Sequence, residues 1–237
     1  MIKAALFDVY GTCVDWRRGV ADVARPMLAE RGCDTSLAEK IADHWRALYD
    51  PYMEPVRKGT QPYKPLNEIQ RDNLDVMLEQ VGLGAAFDPA ARVLLNTAWD
   101  QLPAWPDTRA ALEMLKSVMP IAACSNGSEA MMQRLAKHNG FAWTKICGAD
   151  TAHNFKPVHA VYQRSAEALG LAPAETIMIA CHADDLDEAK KAGLKTGFFP
   201  RPLEFGPDNP VEEPDPARFD FYSTTMTGLV EALCTPA

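Results

Sequence analysis

No run of about 18 apolar residues occurs anywhere in the 237-residue chain, so no helical membrane span is expected. The apolar stretch at the N-terminus is a few residues long and is broken by Asp8, too short for the core of a signal peptide. Basic residues are scarce: 24 Lys and Arg stand against 32 Asp and Glu, a net charge of -8. That field disfavours phosphate backbones and anionic lipid, so neither nucleic acid nor membrane is an expected partner. A single local Lys or Arg can still gather a small anion. The six cysteines (Cys13, Cys33, Cys124, Cys147, Cys181, Cys234) include no CxxC pair and no His-rich spacing. Disulfide scaffolds are cysteine-dense and zinc sites cluster their ligands, and neither pattern is present. Most of the cysteines read as buried free thiols in a reducing compartment, which makes a cytoplasmic protein the expectation. Internal repeats and low-complexity tracts are also missing. What remains is 47% hydrophobic and 24% charged residues, the make-up of a globular protein with a real core. The length suits one large domain or a domain with a sizeable insertion.

Five short apolar runs each end in small or polar residues: Ala4 to Phe7, Pro120 to Cys124, Lys145 to Cys147, Ile177 to Ala180 and Thr196 to Phe199. Helical-period stretches separate the last four. They cover Ser128 to His138, Val158 to Leu169 and Asp185 to Ala192, each followed by a glycine (Gly140, Gly170, Gly193) at the expected C-cap. Strands alternating with helices of this length predict an α/β fold with a parallel sheet. The segment from about Asp15 to Asn96 breaks the rhythm and reads as consecutive helices: Gly19 to Arg31, Ser36 to Tyr49, Leu66 to Val81 and Pro89 to Trp99. A connection from Pro51 to Pro65 separates the second and third. The division expected is a core from residues 1–14 and 100–237, with a helical cap from 15–99 over the carboxyl edge of the sheet. There it can act as a lid or, on the plainer alternative, add stability or a dimer surface. Pro200 to Arg218 reads as an extended surface loop, and a last helix covers Thr227 to Leu233.

Every residue with chemistry to offer falls at a strand end. Asp8, Tyr10 and Thr12 follow the first apolar run, with Gly11 marking the turn. Ser125 and Asn126 follow the second, Lys156 stands in the loop before a helix, and Asp184 and Asp185 follow the Ile177 to Ala180 run. A carboxylate held at the mouth of a sheet can attack an electrophile and form an ester, splitting one hard step into two. A lysine beside Asp8 would keep it ionised. Thr or Ser hydroxyls and an Asn amide can hold a carboxylate substrate by hydrogen bonds. Asp185 could orient the lysine and help activate the water that opens the ester.

This ordered set resembles the haloacid dehalogenase superfamily over essentially the whole chain: Asp8-Val9-Tyr10-Gly11-Thr12, then Ser125-Asn126, Lys156-Pro157 and the Asp184/Asp185 region. The resemblance implies a Rossmann-like parallel core with an inserted α-helical cap. Most members are magnesium phosphatases, which carry Asp two residues after the nucleophile and a Gly-Asp pair opening the fourth motif. Here those places hold Tyr10 and Ala180-Cys181, and a thiol is a poor ligand for Mg²⁺. The Asp-x-Tyr-Gly-Thr stretch is instead similar to the L-2-haloacid dehalogenase subgroup. The implied reaction needs no metal or other cofactor. Asp8 displaces halide from a short 2-halocarboxylate, water opens the ester, and an L-2-haloacid becomes a D-2-hydroxyacid.

The resemblance also assigns Arg46, in Trp45-Arg46-Ala47-Leu48, to the departing halide ion; its plainer alternative is an exposed helix arginine. Lys156 and Asp185 would tune the nucleophile and the water. Tyr10, Thr12, Ser125, Asn126 and Tyr162 would contact the substrate or the ionised network. Ala180 and His182 replace the serine and asparagine of the best-known fourth motifs, and Asp184 an aromatic residue. His182 either positions water or Asp185, or satisfies a loop carbonyl. Tyr49, Tyr52, Tyr63, Trp99 and Trp105 either line an apolar pocket or belong to the core. Dimers are common in the subgroup, but no sequence feature demonstrates an interface. Two rivals stay open: a Mg²⁺-dependent small-molecule phosphatase, and a catalytically idle protein that binds a carboxylate.

Overall fold

The runs Ala4 to Phe7 and Thr176 to Ala180 are buried at every position in the computed structural model, which describes residues 1–235. Burial on both faces is what a central parallel strand requires, and it accounts for their uninterrupted apolar character. Six strands form the sheet: β1 (Ala4–Phe7), β2 (Ile121–Ser125), β3 (Lys145–Gly148), β4 (Thr176–Ala180), β5 (Lys195–Phe198) and β6 (Phe221–Tyr222). Their order is β3-β2-β1-β4-β5-β6, and all neighbours are parallel. Chain order runs outward from β1 to β3, returns to β4 beside β1, and runs outward the other way. At that reversal a crevice opens beyond the carboxyl ends of β1 and β4, the usual ligand position in such sheets.

Side chains alternate between two cores. Phe7, Ile177 and Ile179 face one, while Leu6, Met178 and Ala180 face the other, as the two-residue strand period demands. The insert after β1 supplies α1 (Trp16–Glu30), α2 (Leu37–Ala47), α3 (Tyr49–Arg57), α4 (Leu66–Gln80) and α5 (Pro89–Asn96). The sheet is covered by α6 (Thr108–Lys116), α7 (Glu129–Asn139), the one-turn α8 (Ala149–Ala152), α9 (His159–Ala168), α10 (Ala183–Lys191) and α11 (Met226–Cys234). Residues of α6, α7 and α11 pack on the Phe7 side; those of α9 and α10 pack on the Leu6 side. Starts are capped as the sequence allows: Asp15, Asp88 and Ser128 accept the backbone N–H of Arg18, Ala91 and Met131. None of the described helices is long and apolar enough to cross a membrane.

The two connections to the insert lie side by side. Asp15 N–H donates to the Pro103 carbonyl at 2.9 Å, Trp105 N–H to the Cys13 carbonyl at 3.2 Å, and Val14 pairs antiparallel with Ala104. Three elements differ from the sequence reading. The Pro51 to Pro65 connection begins inside a helix, α3, because Pro51 falls in its first turn, where a missing N–H costs nothing. A helix that the apolar runs did not mark, α6, precedes β2. The sixth strand, β6, is two residues long and half-buried, too short to carry a period.

Gly148 closes β3 against the end of β2. Its φ is +113°, and a Cβ there would lie 2.1 Å from the Ser125 carbonyl oxygen, backbone that cannot step aside. Gly148→Ala should therefore destabilise by at least about 2 kcal/mol, lowering the thermal midpoint by roughly 4 to 8 °C. An unchanged melting curve would contradict the close approach.

Candidate active site

Asp8 continues β1 by one bond, its N–H donating to the Ile179 carbonyl at 3.0 Å. The chain then folds tightly: Cys13 N–H reaches the Val9 carbonyl at 2.8 Å and Gly11 N–H the Val14 carbonyl at 3.0 Å. The turn returns Thr12 to the carboxylate it follows. Thr12 Oγ1 donates to Asp8 Oδ2 at 2.8 Å and accepts the Cys181 N–H at 3.1 Å. Asp8 is thereby fixed at the crevice with 6% of its surface exposed.

Lys156 lies between two carboxylates. Its Nζ donates to Asp8 Oδ1 at 2.8 Å and to Asp185 Oδ2 at 2.7 Å. Tyr162 donates its hydroxyl to Asp185 Oδ1 at 2.5 Å, so both Asp185 oxygens are engaged. Asn126 brackets the lysine backbone, accepting its N–H at 2.7 Å and donating to its carbonyl at 3.5 Å. Burial works against the Asp8 charge, but Lys156 and His182 outweigh it and hold the pKa below the ordinary carboxylate range. Burial likewise opposes the ammonium, yet Asp185 and Asp8 raise the Lys156 pKa well above that of a free lysine. Asp8 is thus held as an anion and Lys156 as a cation.

A second charged pair backs the first. His182 Nδ1 lies 3.1 Å from Asp8 Oδ2, and its Nε2 lies 2.9 Å from Glu204 Oε2. Glu204 is 2% exposed and accepts the Trp16 indole N–H at 2.9 Å. With an acceptor at each nitrogen the ring is held as an imidazolium. Burial opposes that charge, but Cys181, Glu204 and Asp8 raise its pKa well above that of an ordinary histidine. The segment Pro200 to Arg218 is thus not merely a surface loop, because one of its acids turns inward. Gly11 makes the room: its φ is +83°, and a Cβ there would lie 2.2 Å from Glu204 Oε1.

The cap faces this network across a cleft of about 560 Å³. Asp8, Tyr10, Asn126, Lys156, His182, Asp184 and Asp185 line it from the core, and Arg46, Tyr49 and Arg57 from the cap. Arg46 lies with its guanidinium carbon 4.2 Å from the centre of the Tyr49 ring. Its Nε is buried and has no hydrogen-bond partner among the described residues, a donor left for an anion.

A family model for haloacid dehalogenase-like hydrolases matches residues 2–193. The chain belongs to the haloacid dehalogenase-like hydrolases. It is 29% identical over 205 residues to an (S)-2-haloacid dehalogenase of Xanthobacter autotrophicus, covering 85% of this chain and 76% of that one. A solved structure of a defluorinating L-2-haloacid dehalogenase superposes with a TM-score of 0.91 at 34% identity, over 99% of this chain and 96% of the other. The L-2-haloacid dehalogenase of Xanthobacter autotrophicus with chloropropionic acid covalently bound superposes at 0.82 and 25% identity, over 100% of both.

Within this haloacid dehalogenase-like hydrolase, the residues singled out from sequence separate into two groups. Asp8, Tyr10, Arg46, Asn126, Lys156, His182 and Asp185 open onto the cleft. Thr12, Ser125 and Tyr162 are fully buried behind it and hold other groups. Ser125 Oγ accepts the Gly127 N–H at 3.1 Å, and Tyr162 holds Asp185, part of the ionised network. Of the aromatics, Tyr49 reaches the cleft, and burial raises its pKa to about 12. Trp99 packs edge-on against Tyr10 and Trp45 in the core. Trp105 donates its indole N–H to the Gly11 carbonyl, Tyr63 donates to Asp150, and Tyr52 is exposed. Sequence reading missed Glu204; the glycine at position 11 was its only trace. The magnesium of the phosphatase branch does not fit these donors. Lys156, Thr12 and His182 already occupy both Asp8 oxygens, and the neighbouring side chain is the buried Cys181 thiol.

The raised His182 pKa has a signed consequence. An unfolded histidine titrates near about 6.5. The stability from this ring is therefore fully present below that value and is lost as pH rises through the raised folded one. Glu204→Gln removes one flanking charge, so its loss of stability should set in at lower pH. Thermal melts from about pH 6 to about pH 9 test this; parallel curves for the two proteins would refute it.

Proposed function

We propose that this chain hydrolyses L-2-haloacids to D-2-hydroxyacids and halide through an ester on Asp8. The observation that carries this reading is a buried, ionised carboxylate facing an unpartnered guanidinium donor across a small cleft. An Asp8 oxygen attacks C2 from the side opposite the halogen. The carbon–halogen bond breaks, and its electron pair leaves as halide toward Arg46, whose fork of donors suits an anion. The helical segment 15–99 acts as the cap that delivers this arginine. Attack from behind inverts the stereocentre.

Hydrolysis then needs a base, and Asp185 is poorly placed to be one, since Lys156 and Tyr162 hold both its oxygens. His182 takes the role. Esterification abolishes the Asp8 charge, so the Nδ1 proton loses its anionic acceptor and leaves to solvent, while Nε2–H stays on Glu204. Water gives one proton to Nδ1 as its oxygen bonds to the Asp8 carboxyl carbon. Collapse expels the hydroxyacid, which keeps the water's second proton, and restores the carboxylate and the imidazolium. The proton released overall is the one His182 gave up. Six free cysteines support the reading of a cytoplasmic enzyme.

Halide release from L- and D-2-chloropropionate in EDTA, with Asp8→Asn as control, tests the reaction. Release from the L-form that the substitution abolishes is expected. No release from either would favour the phosphatase or the idle binding protein instead. The second step has its own test. His182→Asn should still release about one equivalent of halide per site and then slow by roughly 10²- to 10⁴-fold, with a 1-carboxyethyl ester on Asp8 visible by mass spectrometry. Equal slowing of burst and turnover would remove His182 from the hydrolytic half.

A further inference from the structure

Cys181, His182 and Glu204 bring a thiol, an imidazole nitrogen and a carboxylate oxygen to one small triangle behind the nucleophile. Its edges are 3.6 Å from Sγ to Nε2, 3.7 Å from Sγ to Oε2 and 2.9 Å from Nε2 to Oε2. A tetrahedral zinc ion with ordinary bond lengths spans sulfur edges of about 3.5 Å and a nitrogen–oxygen edge of about 3.3 Å. The sulfur edges already match, and the third needs to open by about 0.4 Å. The surroundings are those of a supported site. The other histidine nitrogen rests on the Asp8 carboxylate, the usual outer partner of a metal-bound imidazole. Glu204 is anchored through Oε1 by Trp16, leaving Oε2 for a ligand. Thiolate and imidazole select borderline and soft cations over Mg²⁺. Asp184, Asp187 and Glu188 line the cleft that leads to His182 and attract cations from solvent.

We propose that Cys181, His182 and Glu204 form a zinc-binding site, with a solvent molecule as fourth ligand, and that zinc there arrests the enzyme. Binding is not redox chemistry: Sγ and Nε2 each release a proton to solvent, and the three lone pairs go to the ion. Zinc takes the place of the Nε2 proton and detaches the ring from Glu204. The remaining Nδ1 proton then faces Asp8, so the ring cannot accept one from water. The arrest rests on the reading of His182 as the base for hydrolysis; the binding does not. Sequence spacing concealed the site, since Glu204 is distant in the chain from the adjacent Cys181 and His182.

Chelator-treated protein titrated with Zn²⁺ by calorimetry and with Co²⁺ by absorption tests the site without reference to activity. One equivalent of each should bind, and cobalt should show a thiolate-to-metal charge-transfer band. Cys181→Ser and Cys181→Ala should lose that band and bind zinc about 100-fold or more weakly, since even an outer-shell loss costs about 10- to 100-fold. Cys33→Ser should keep both properties. Glu204→Gln should weaken zinc while retaining the band, and a melting curve establishes that each variant is folded. No stoichiometric binding, no charge-transfer band, or undiminished affinity in the Cys181 variants would overturn the site. In the activity arm, zinc should leave a burst of about one halide per site and stop turnover. Binding without arrest would overturn the inhibitory half. Absence of any dehalogenation would count against the proposed reaction alone, leaving the cobalt result to stand.

Discussion

One ammonium between two buried carboxylates holds this molecule's chemistry together. Lys156 cancels the repulsion that would otherwise force Asp8 or Asp185 to take up a proton, and it does so at the crevice where strand order reverses. A buried ion pair of this kind contributes little net stability, because desolvation offsets much of the attraction. Its cost is met by a sheet whose central strands are apolar on both faces. What it gains is a carboxylate that remains ionised in a place where an isolated acid would be neutral.

Around that centre the hydrogen bonds follow a simple rule: each charged atom of the network has an assigned partner. Thr12, Tyr162 and Asn126 hold the acids and the lysine loop, and Trp16 holds Glu204. The two cap arginines on the cleft, Arg46 and Arg57, break the rule, each with a buried Nε left open. A network satisfied everywhere except where a ligand must arrive is preorganised, because its groups need not move when charge shifts.

The alternation of apolar runs and helical periods made the parallel sheet and its helical insert legible, and the order of strand-end residues brought together Asp8, Asn126, Lys156 and Asp185. Those features are local, or follow from topology. Which partner the hydroxyls of Ser125 and Tyr162 take was not legible, because sequence position says nothing about which way a hydroxyl faces; they turn to the Gly127 N–H and to Asp185. Glu204 was missed for a deeper reason. It sits among prolines and acids that carry no period, and its burial depends on space left by a glycine nearly the whole chain away. The helix α3 hid behind Pro51, whose position in the first turn no composition rule distinguishes from a loop.

The antiparallel pairing of Val14 with Ala104 joins two segments that, in the proposed reaction, divide the labour. The cap brings the receptor for the leaving group. On that proposal Asp8, its counter-ion Lys156 and His182 all come from the sheet side. Bond breaking therefore requires both segments to be in register, whereas regeneration of the free enzyme is the business of the sheet alone. A cap that swings outward once the ester has formed would let halide escape without disturbing anything the second half needs. The narrow two-stranded junction is thus a seam in time as well as in space, with the first half-reaction written across it and the second on one side.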